Sequence, residues 1–431
     1  MGAKISYEEK TRWFREARFG LFLHWGLYAI PARGEWVRSV EKMPEEEYLP
    51  FFREFSAPDF DPRKWARVAK EAGMKYAVMT AKHHDGFCLF DSKYTDYKST
   101  NTPFGRDAVR EYVEAFRAEG LKVGLYYSLL DWHHPDYPHA GDPYHPDRER
   151  PGVTNEGRDF NRYRDYMHNQ IRELLTNYGR IDILWFDFSY GEMKGEMWGA
   201  EQIMDMVNEL QPWALVDNRM EGSGDGQGSL LTAHPSPFSG DFVCPEQLIP
   251  PKGIVNELGE KVLWEACFTM NNSWGYTHND RNFKPADMLI RKLVECVSKN
   301  GNMLLNVGPD ARGNFPQESL EILREMGRWM AKNSESIYGC GGSPEEKPDF
   351  GRVTAGPGAR YYHVFDAPVG YVPLPRQPGE RLKVRLLSTG AEMDSSEKWN
   401  GRDFPEYAFI SLGSSPLLPD PADTVLKVLE S

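Results

Sequence analysis

The chain is poor in cysteine, and the few cysteines that it has lie far apart. Only five of the 431 residues are cysteines, Cys88, Cys244, Cys267, Cys296 and Cys340, and no two of them form a CxxC pair. An odd number of widely spaced cysteines does not favour a disulfide framework or a tetrahedral zinc site. We therefore expect five buried free thiols.

Long apolar stretches and long basic stretches are missing as well. No run approaches the roughly 20 apolar residues that a membrane-spanning helix needs, and the first ten residues contain no apolar core of the signal-peptide kind. The net charge of -13 at pH 7 and the pI of about 5.4 disfavour nucleic acid or an anionic membrane as a partner. These absences predict a cytoplasmic chain that acts on a neutral polar ligand and binds neither nucleic acid nor membrane.

Strand and helix patterns alternate over about 330 residues. The sequence marks both ends of one helix. Asp61 can cap its N-terminus, Pro62 suits its first turn, and Gly73 can end it. Later in the chain the patterns predict a helix at 160–177 followed by a strand at 181–188. About seven or eight such strands indicate a parallel sheet, and closure into a (β/α)8-like barrel is favoured over an open sheet.

The pattern changes after Gly339. Short apolar segments separated by proline and glycine turns predict strands at 361–365, 382–387, 407–412 and 424–428. Such a series is typical of a small β-sandwich. The sequence thus predicts an α/β protein with two domains, a (β/α)8-like barrel at 1–340 and a C-terminal β-sandwich at 341–431.

One almost continuous apolar stretch, 181–188, ends in a carboxylate at Asp187. Apolar residues occupy both of its faces, as they do in a parallel strand that is covered on each side. A charge beside Trp185 and Phe186 is costly unless a nearby group or a reaction requires it. Because catalytic groups of parallel barrels lie at the carboxyl ends of the strands, we predict that Asp187 is functional. The alternatives are a turn cap or a buried partner of an arginine.

Other titratable side chains come at or just after predicted strand ends, which meet at one mouth of a barrel. They are His24, His83, His84, Arg219, Glu246 and Glu265. A glycosidase needs two carboxylates that flank the scissile bond, together with hydrogen-bonding groups and aromatic rings that hold the sugar. The sequence contains all of these, including 12 Trp and 21 Tyr residues.

Two other classes of protein use similar residues. A metallohydrolase would use histidine and aspartate as ligands, but adjacent His83 and His84 point to opposite faces of a regular strand and cannot both reach one ion. A carbohydrate-binding barrel would use its acids only as hydrogen-bond acceptors. A sugar hydrolysis assay of the wild type and of an Asp187→Asn variant would distinguish an enzyme from a binding protein.

The glycine-rich stretch 220–228 is no dinucleotide-binding fingerprint, because no helix pattern begins there.

Six motifs along the chain are shared with one known family. They are Arg18-Phe19-Gly20-Leu21-Phe22-Leu23-His24-Trp25-Gly26, Gly34-Glu35-Trp36, Lys82-His83-His84-Asp85-Gly86-Phe87, Gly124-Leu125-Tyr126-Tyr127-Ser128, Trp185-Phe186-Asp187, and Trp264-Glu265 leading to Ser273-Trp274-Gly275-Tyr276. Through them the chain resembles the α-L-fucosidases of glycoside hydrolase family 29. The resemblance covers nearly the whole length, and it implies an irregular (β/α)8-like barrel followed by a C-terminal β-sandwich.

The resemblance also implies roles for individual residues. Asp187 resembles the nucleophile of the family, and Trp274 resembles part of the wall around the sugar. The residues that resemble the family's sugar-binding groups are His24, Glu35, Trp36, His83, His84, Tyr126 and Arg219.

Two glutamates compete for the role of acid/base, in a region where the family varies. Glu246, in Cys244-Pro245-Glu246-Gln247, resembles the acid/base motif of many members, and we place it first. Glu265 is the alternative, and it can also be interpreted as an acid inside the barrel that orients Arg219 or a histidine. Phe188 departs from the glycine or tryptophan often found after the nucleophile, so we expect the leaving-group side of the site to differ.

As a whole, the resemblance implies a retaining exo-α-L-fucosidase. Such an enzyme removes terminal α-L-fucose from fucosylated oligosaccharides or glycoconjugates by double displacement, with two carboxyl groups about 5 to 5.5 Å apart. It requires no metal ion and no organic cofactor. The linkage preference, the tendency towards transglycosylation and the formation of a homo-oligomer stay open.

Overall fold

The computed structural model of the protein describes residues 5–223, 228–396 and 399–429. Residues 224–227 of the predicted glycine-rich stretch lie outside this description, as do residues 1–4. A seven-stranded parallel sheet forms the centre of the N-terminal part, in the order β5-β4-β3-β2-β1-β7-β6. Its strands are β1 (Phe19–Leu23), β2 (Tyr76–Lys82), β3 (Lys122–Ser128), β4 (Ile183–Asp187), β5 (Leu215–Val216), β6 (Glu265–Thr269) and β7 (Asn302–Val307).

An irregular segment, 242–246, closes the sheet into a barrel. It lies between β5 and β6, because isolated parallel bridges join Asp217 to Phe242, Val243 to Trp264 and Glu246 to Cys267. Pro245 within the segment has no N–H group and cannot donate to a regular ladder. The predicted (β/α)8-like barrel is therefore confirmed, with this segment in the position of an eighth strand.

Helices cover the outside of the barrel. Asp61 begins one of them as predicted, since its side chain accepts the backbone N–H groups of Arg63 and Lys64, and the helix ends just before Gly73 at φ +89°. The helices of the barrel are α1 (Tyr7–Ala17), α2 (Val37–Val40), α3 (Glu45–Glu54), α4 (Pro62–Glu71), α5 (Ala108–Ala118), α6 (Phe160–Asn177), α7 (Ala200–Leu210), α8 (Ala286–Ser298) and α9 (Gln317–Asn333).

Both faces of the sheet are buried. Every residue of β1, β2 and β4 is buried, as expected for strands covered by helices on one side and by the barrel interior on the other. A distinct apolar cluster includes Phe22, Tyr76, Tyr126 and Trp185, whose side chains fill the interior of the barrel. All five cysteines are buried and free, which confirms the expectation from their spacing.

The C-terminal part is built from antiparallel sheets, which confirms the predicted β-sandwich. One sheet has five strands in the order β12-β15-β10-β9-β8, and the other has three in the order β11-β14-β13. The elements are β8 (Gly341–Gly342), β9 (Gly351–Gly356), β10 (Ala359–Val364), β11 (Tyr371–Pro375), β12 (Val384–Leu386), β13 (Ser395–Ser396), α10 (Trp399–Asp403), β14 (Tyr407–Ser411) and β15 (Thr424–Leu429).

Helices α8 and α9 connect the two parts. Arg291 of α8 donates from Nε to the carbonyl of Ala422 at 2.8 Å, and Trp329 of α9 donates from Nε1 to the carbonyl of Asp423 at 3.1 Å. Among the residues that the structure describes, none of the helices combines the length and the apolar character needed to cross a bilayer.

Candidate active site

A cavity of about 100 Å³ lies at the carboxyl ends of the barrel strands. Its wall is largely aromatic, and it contains two carboxylates, three imidazoles and one guanidinium. The residues that line it are Phe22, His24, Trp36, His83, His84, Tyr126, Trp185, Asp187, Phe188, Arg219, Glu246, Cys267 and Trp274. Nine of the eleven residues predicted for the site are among them, and the exceptions are Glu35 and Glu265.

Asp187 is held in place by donors on both of its oxygens. It is the last residue of β4, and only 8% of its surface is exposed. Tyr126 donates from Oη to Oδ2 at 2.8 Å, and Arg219 donates from Nη1 to Oδ1 at 2.9 Å. A charged partner and a second hydrogen bond hold a carboxylate in one orientation. Asp187 is thus fixed in position at the cavity.

Arg219 joins the two carboxylates of the cavity. Its Nη2 donates to Oε2 of Glu246 at 2.8 Å while its Nη1 contacts Asp187, and the guanidinium lies over the Trp185 ring at 4.4 Å from the centroid. Burial opposes the charge of the guanidinium, but Asp187 and Glu246 outweigh burial and raise the pKa of Arg219 well above its usual value. Asp187 and Glu246 therefore face each other across one permanent cation.

Glu246 is much less constrained than Asp187. Its side chain is 42% exposed, against 11% for Asp187, and its side-chain hydrogen bond goes to Arg219. It lies in the irregular segment 242–246, and the next residue, Gln247, has a positive φ of +51°. The backbone around Glu246 makes few ladder hydrogen bonds, so Glu246 can move more easily than a residue of a regular strand.

Three neutral histidines form one side of the cavity. His24 directly follows β1, and His83 and His84 directly follow β2. Burial lowers the pKa of His24 to about 3 and the pKa values of His83 and His84 well below their usual value. The chain has left the regular strand at these positions, so both His83 and His84 reach the cavity although they are adjacent.

Hydrogen bonds define the tautomers of two of these rings. Asn306 donates from Nδ2 to the carbonyl of Trp274, so its Oδ1 accepts from Nδ1 of His24 at 2.7 Å. Ser128 donates to the carbonyl of Leu130, so its Oγ accepts from Nδ1 of His84 at 2.6 Å. In both rings Nε2 is then an acceptor, which suits it to receive the hydrogen of a sugar hydroxyl group.

Glu35 lies beside the cavity instead of in its lining. It is buried, and its Oε2 accepts the backbone N–H of Gly275 at 2.7 Å. Burial raises the pKa of this carboxyl. Glu35 therefore holds the loop that carries Trp274, whose ring lies 5.2 Å from His24 across the cavity.

Glu265 occupies a different place from the one that we expected. It is the first residue of β6 and does not follow a strand, so its carboxyl lies at the amino-terminal end of the barrel, fully buried and hydrogen-bonded to Tyr76. Burial raises its pKa to about 7, although the hydrogen bond from Tyr76 opposes this effect. The expected position of Glu265 at the mouth was wrong. The apolar pattern indicates a strand in this part of the chain, but it does not show at which residue the strand begins.

Four residues of the lining were not predicted as site residues. Phe22 and Trp185 lie two positions before His24 and Asp187, and Cys267 lies two positions after Glu265. Alternation along a strand places residues at this spacing on the same face, so the pattern could have identified these three. Phe188 could not be found in this way, because its inward position depends on a backbone φ of +87°.

A possible ligand set for a metal ion lies outside the cavity. In the residues covered by the structure, His139, His145 and Asp147 form the one group of three whose donor atoms all lie within 4.8 Å of one another. Nδ1 of His145 already accepts the N–H of Asp147 at 3.0 Å, and Arg150 lies 3.6 Å from the Asp147 carboxylate. The two rings stack at 3.7 Å and 25°, which prevents both lone pairs from pointing at one ion. We interpret this group as part of the packing of its loop.

Comparisons with known proteins agree with this geometry. Residues 3–335 match the family model described as alpha-L-fucosidase. The chain is 30% identical to the plasma alpha-L-fucosidase of Homo sapiens over 353 residues, which cover 76% of this chain and 68% of the human protein. It is 31% identical to the alpha-L-fucosidase of Branchiostoma floridae over 350 residues, with 76% and 72% coverage.

Solved structures resemble the chain over almost its whole length. Alpha-L-fucosidase isoenzyme 1 from Paenibacillus thiaminolyticus is 54% identical, with a TM-score of 0.95 and 99% coverage of both chains. The family 29 alpha-L-fucosidase from Bacteroides thetaiotaomicron is 30% identical, with a TM-score of 0.82 and coverage of 99% and 97%. That structure is of a trapped covalent intermediate with 2-fluoro-fucosyl fluoride, obtained with a glutamate-to-glutamine variant. The chain belongs to the α-L-fucosidases of glycoside hydrolase family 29 and is a glycoside hydrolase.

Proposed function

We propose that the chain is a retaining exo-α-L-fucosidase, with Asp187 as the nucleophile and Glu246 as the acid/base. The observation that carries the proposal is the pair of contacts from one guanidinium, Arg219, to both carboxylates of the cavity. A retaining glycosidase needs two carboxyl groups close together on either side of the anomeric centre. The covalent intermediate trapped in the Bacteroides thetaiotaomicron relative supports the same mechanism.

The first step forms a bond and breaks a bond at the anomeric carbon. A carboxylate oxygen of Asp187 attacks this carbon, and Glu246 gives its proton to the oxygen of the leaving group, which departs as an alcohol. In the second step Glu246 takes a proton from water, and the resulting nucleophile breaks the bond between fucose and Asp187. Arg219 and Tyr126 orient Asp187 for both steps through their hydrogen bonds.

The first step requires Glu246 to leave Arg219. Oε2 of Glu246 accepts a hydrogen bond from Arg219, whereas a proton donor must carry a proton and face the glycosidic oxygen. We therefore infer that substrate binding breaks the contact between Glu246 and Arg219. The exposed side chain and the irregular backbone of segment 242–246 allow this movement.

The walls of the cavity suit the two sides of a fucose molecule. Its hydroxyl groups can bind the neutral histidines, of which His24 and His84 present Nε2 as an acceptor. Its C5 methyl group needs an apolar surface, and Phe22, Trp185 and Cys267 provide one. A methyl group contributes only about 1–3 kcal/mol of selectivity, so the hydroxyl contacts must supply most of the discrimination. A fucosylated glycan is accordingly the proposed substrate.

The stereochemistry of the released sugar tests this proposal. An aryl α-L-fucoside is hydrolysed in an NMR tube, and the anomeric proton signals are followed before mutarotation. The α anomer of fucose should appear first and the β anomer only later. Early release of the β anomer would refute double displacement, and hydrolysis at the wild-type rate by Asp187→Ala would refute the assignment of the nucleophile.

A further inference from the structure

The backbone directly after Asp187 has an unfavourable conformation. Phe188 has φ +87°, a region that bulky side chains seldom adopt. Its ring packs against Trp36, His84 and Tyr144, with centroids 5.4, 5.1 and 4.9 Å away. A backbone of this kind persists only where its surroundings hold it, and such positions are common at functional sites.

Ser223, from the segment that follows Arg219, reaches this turn. Its Oγ accepts the backbone N–H of Phe188 and the backbone N–H of Ser189, each at 3.2 Å. A hydroxyl oxygen has two lone pairs and one proton, so both of its acceptor positions are used. The remaining proton points to Oδ1 of Asp187 at 3.5 Å. A fourth bond runs from the N–H of Ser223 to the carbonyl of Ser189 at 2.9 Å.

We propose that Ser223 is a positioning residue for the nucleophile. Its hydroxyl fixes the turn at 187–189 and thereby sets the direction in which the Asp187 carboxylate points. The 3.5 Å contact with the carboxylate is long, so the two bonds to backbone amides carry most of the effect. The inference rests on the proposed role of Asp187, because Ser223 is absent from the lining of the cavity and acts through that residue.

The location of Ser223 predicts which kinetic constant changes. Without its hydroxyl, the amides of Phe188 and Ser189 lose their acceptor, and the turn can relax towards a more favourable φ. A reacting group displaced by about 1 Å lowers a rate by about 100-fold. The histidines and aromatic rings that bind the sugar stay in place, so kcat should fall while KM and the affinity for fucose change little.

Two variants of similar shape isolate the hydroxyl group. Ser223→Thr keeps the acceptor oxygen, whereas Ser223→Val replaces that oxygen by a methyl group at nearly the same volume. In the full chain, we expect Ser223→Val to lower kcat on an aryl α-L-fucoside by about 30- to 100-fold, with KM within about twofold. Ser223→Thr should keep kcat within about threefold. An equal loss of kcat in both variants would overturn the proposal.

Ser189→Ala is a matched control for structural effects. Ser189 donates from Oγ to the carbonyl of Met220 at 3.1 Å and accepts from Nε1 of Trp198 at 3.0 Å. Its hydroxyl joins the same two segments as Ser223, but it makes no bond to the turn amides or to Asp187. We expect Ser189→Ala and Ser223→Ala to lower the melting temperature by similar amounts, and only Ser223→Ala to lower kcat by more than about tenfold. Equal losses of kcat would show a structural role and overturn the proposal.

Asp187→Ala in the same assay distinguishes a wrong nucleophile from a wrong role for Ser223. If that variant remains active, the proposed nucleophile is wrong and the inference about Ser223 falls with it. If Asp187→Ala is inactive while Ser223→Val retains the wild-type kcat, the proposed function stands and only the role of Ser223 is refuted.

Discussion

The two ends of the barrel each bury a carboxyl group, with opposite results. At the carboxyl end, Asp187 is paired with Arg219 and hydrogen-bonded to Tyr126. At the amino end, Glu265 has Tyr76 as a hydrogen-bond partner, and burial raises its pKa to about 7. The first environment orients a carboxylate towards the cavity, and the second favours a neutral acid.

The proposed role of Asp187 therefore rests on more than burial. A nucleophile must be oriented and open to the substrate, and a cation and a hydroxyl donor orient Asp187 in the cavity that it lines. Glu265 is also buried, but it lies outside the lining of the cavity. We interpret it as part of the barrel core.

Replacement of Asp187 should have the largest effect on activity and should reveal the difference between the two ends of the barrel most clearly. Asp187→Ala removes the charge that attacks the anomeric carbon, and we expect kcat to fall by about 10⁴-fold or more. Azide can enter the space left by the carboxylate and should restore part of the activity, with formation of a fucosyl azide. Glu265→Gln is the control, because it changes a buried acid at the other end. Similar losses in both variants would contradict the assignment.

Replacement of Glu246 should have the next largest effect, and this effect should depend on the leaving group. General acid catalysis contributes about 10²- to 10⁴-fold, and a natural glycan needs all of it. An aryl fucoside with an acidic phenol needs little help, so Glu246→Ala should slow its first step by less than about tenfold. The check is the ratio of kcat/KM values for the two substrates. If Glu265→Ala shows this selective pattern instead, the acid role belongs to Glu265.

Replacement of Arg219 by lysine should test how Asp187 is oriented. Lysine keeps the positive charge but lacks the rigid guanidinium that donates from Nη1 to Asp187. We expect kcat/KM to fall by about 100-fold while the protein remains folded. Arg180→Lys is a suitable control that should keep full activity, because Arg180 pairs with Asp182 near the protein surface. A fully active Arg219→Lys variant would show that the guanidinium is not needed to orient Asp187.

Replacement of Glu265 should have the smallest effect on activity and a distinct effect on stability. A raised pKa means that the folded state keeps a proton that the unfolded state has lost. The stability that Glu265 contributes is therefore complete below about pH 4.5 and is lost as the pH rises through about 7. The shift corresponds to about 3 kcal/mol. Glu265→Gln should abolish this decline and keep kcat within about threefold.

Urea unfolding of the wild type and of Glu265→Gln at pH 5 and pH 8 measures this difference. The free energy of unfolding of the wild type should fall more between the two pH values than that of the variant. Equal changes in both proteins would show that Glu265 does not titrate in this range. A loss of activity as large as that of Asp187→Ala would contradict the comparison between the two ends of the barrel.

Much of the fold could be predicted because its signals are local. The helix 160–177 was predicted with the bounds that the structure shows, since Asp159 caps its start and Gly179 follows its end. Segment 242–246 was more difficult, because its pairing depends on partners about 20 to 25 residues away on either side.

The site was predictable where strand alternation and the resemblance coincide. His24 and the histidine pair follow strands, Asp187 ends one, and the structure brings all four residues into one cavity. The position of Glu265 was not predictable, because an apolar segment does not reveal at which residue its pairing begins. Phe188 and Ser223 were also hidden, since their contacts depend on a positive φ and on a bond between two loops 35 residues apart.

The most direct test of the central claim is to trap the covalent intermediate. The wild-type protein is incubated with 2-fluoro-fucosyl fluoride, digested, and sequenced by tandem mass spectrometry. The account predicts a single 2-fluoro-fucosyl group on Asp187, and no label when the Asp187→Ala variant is treated in the same way. A label on Glu246, Glu265 or any other residue would contradict it.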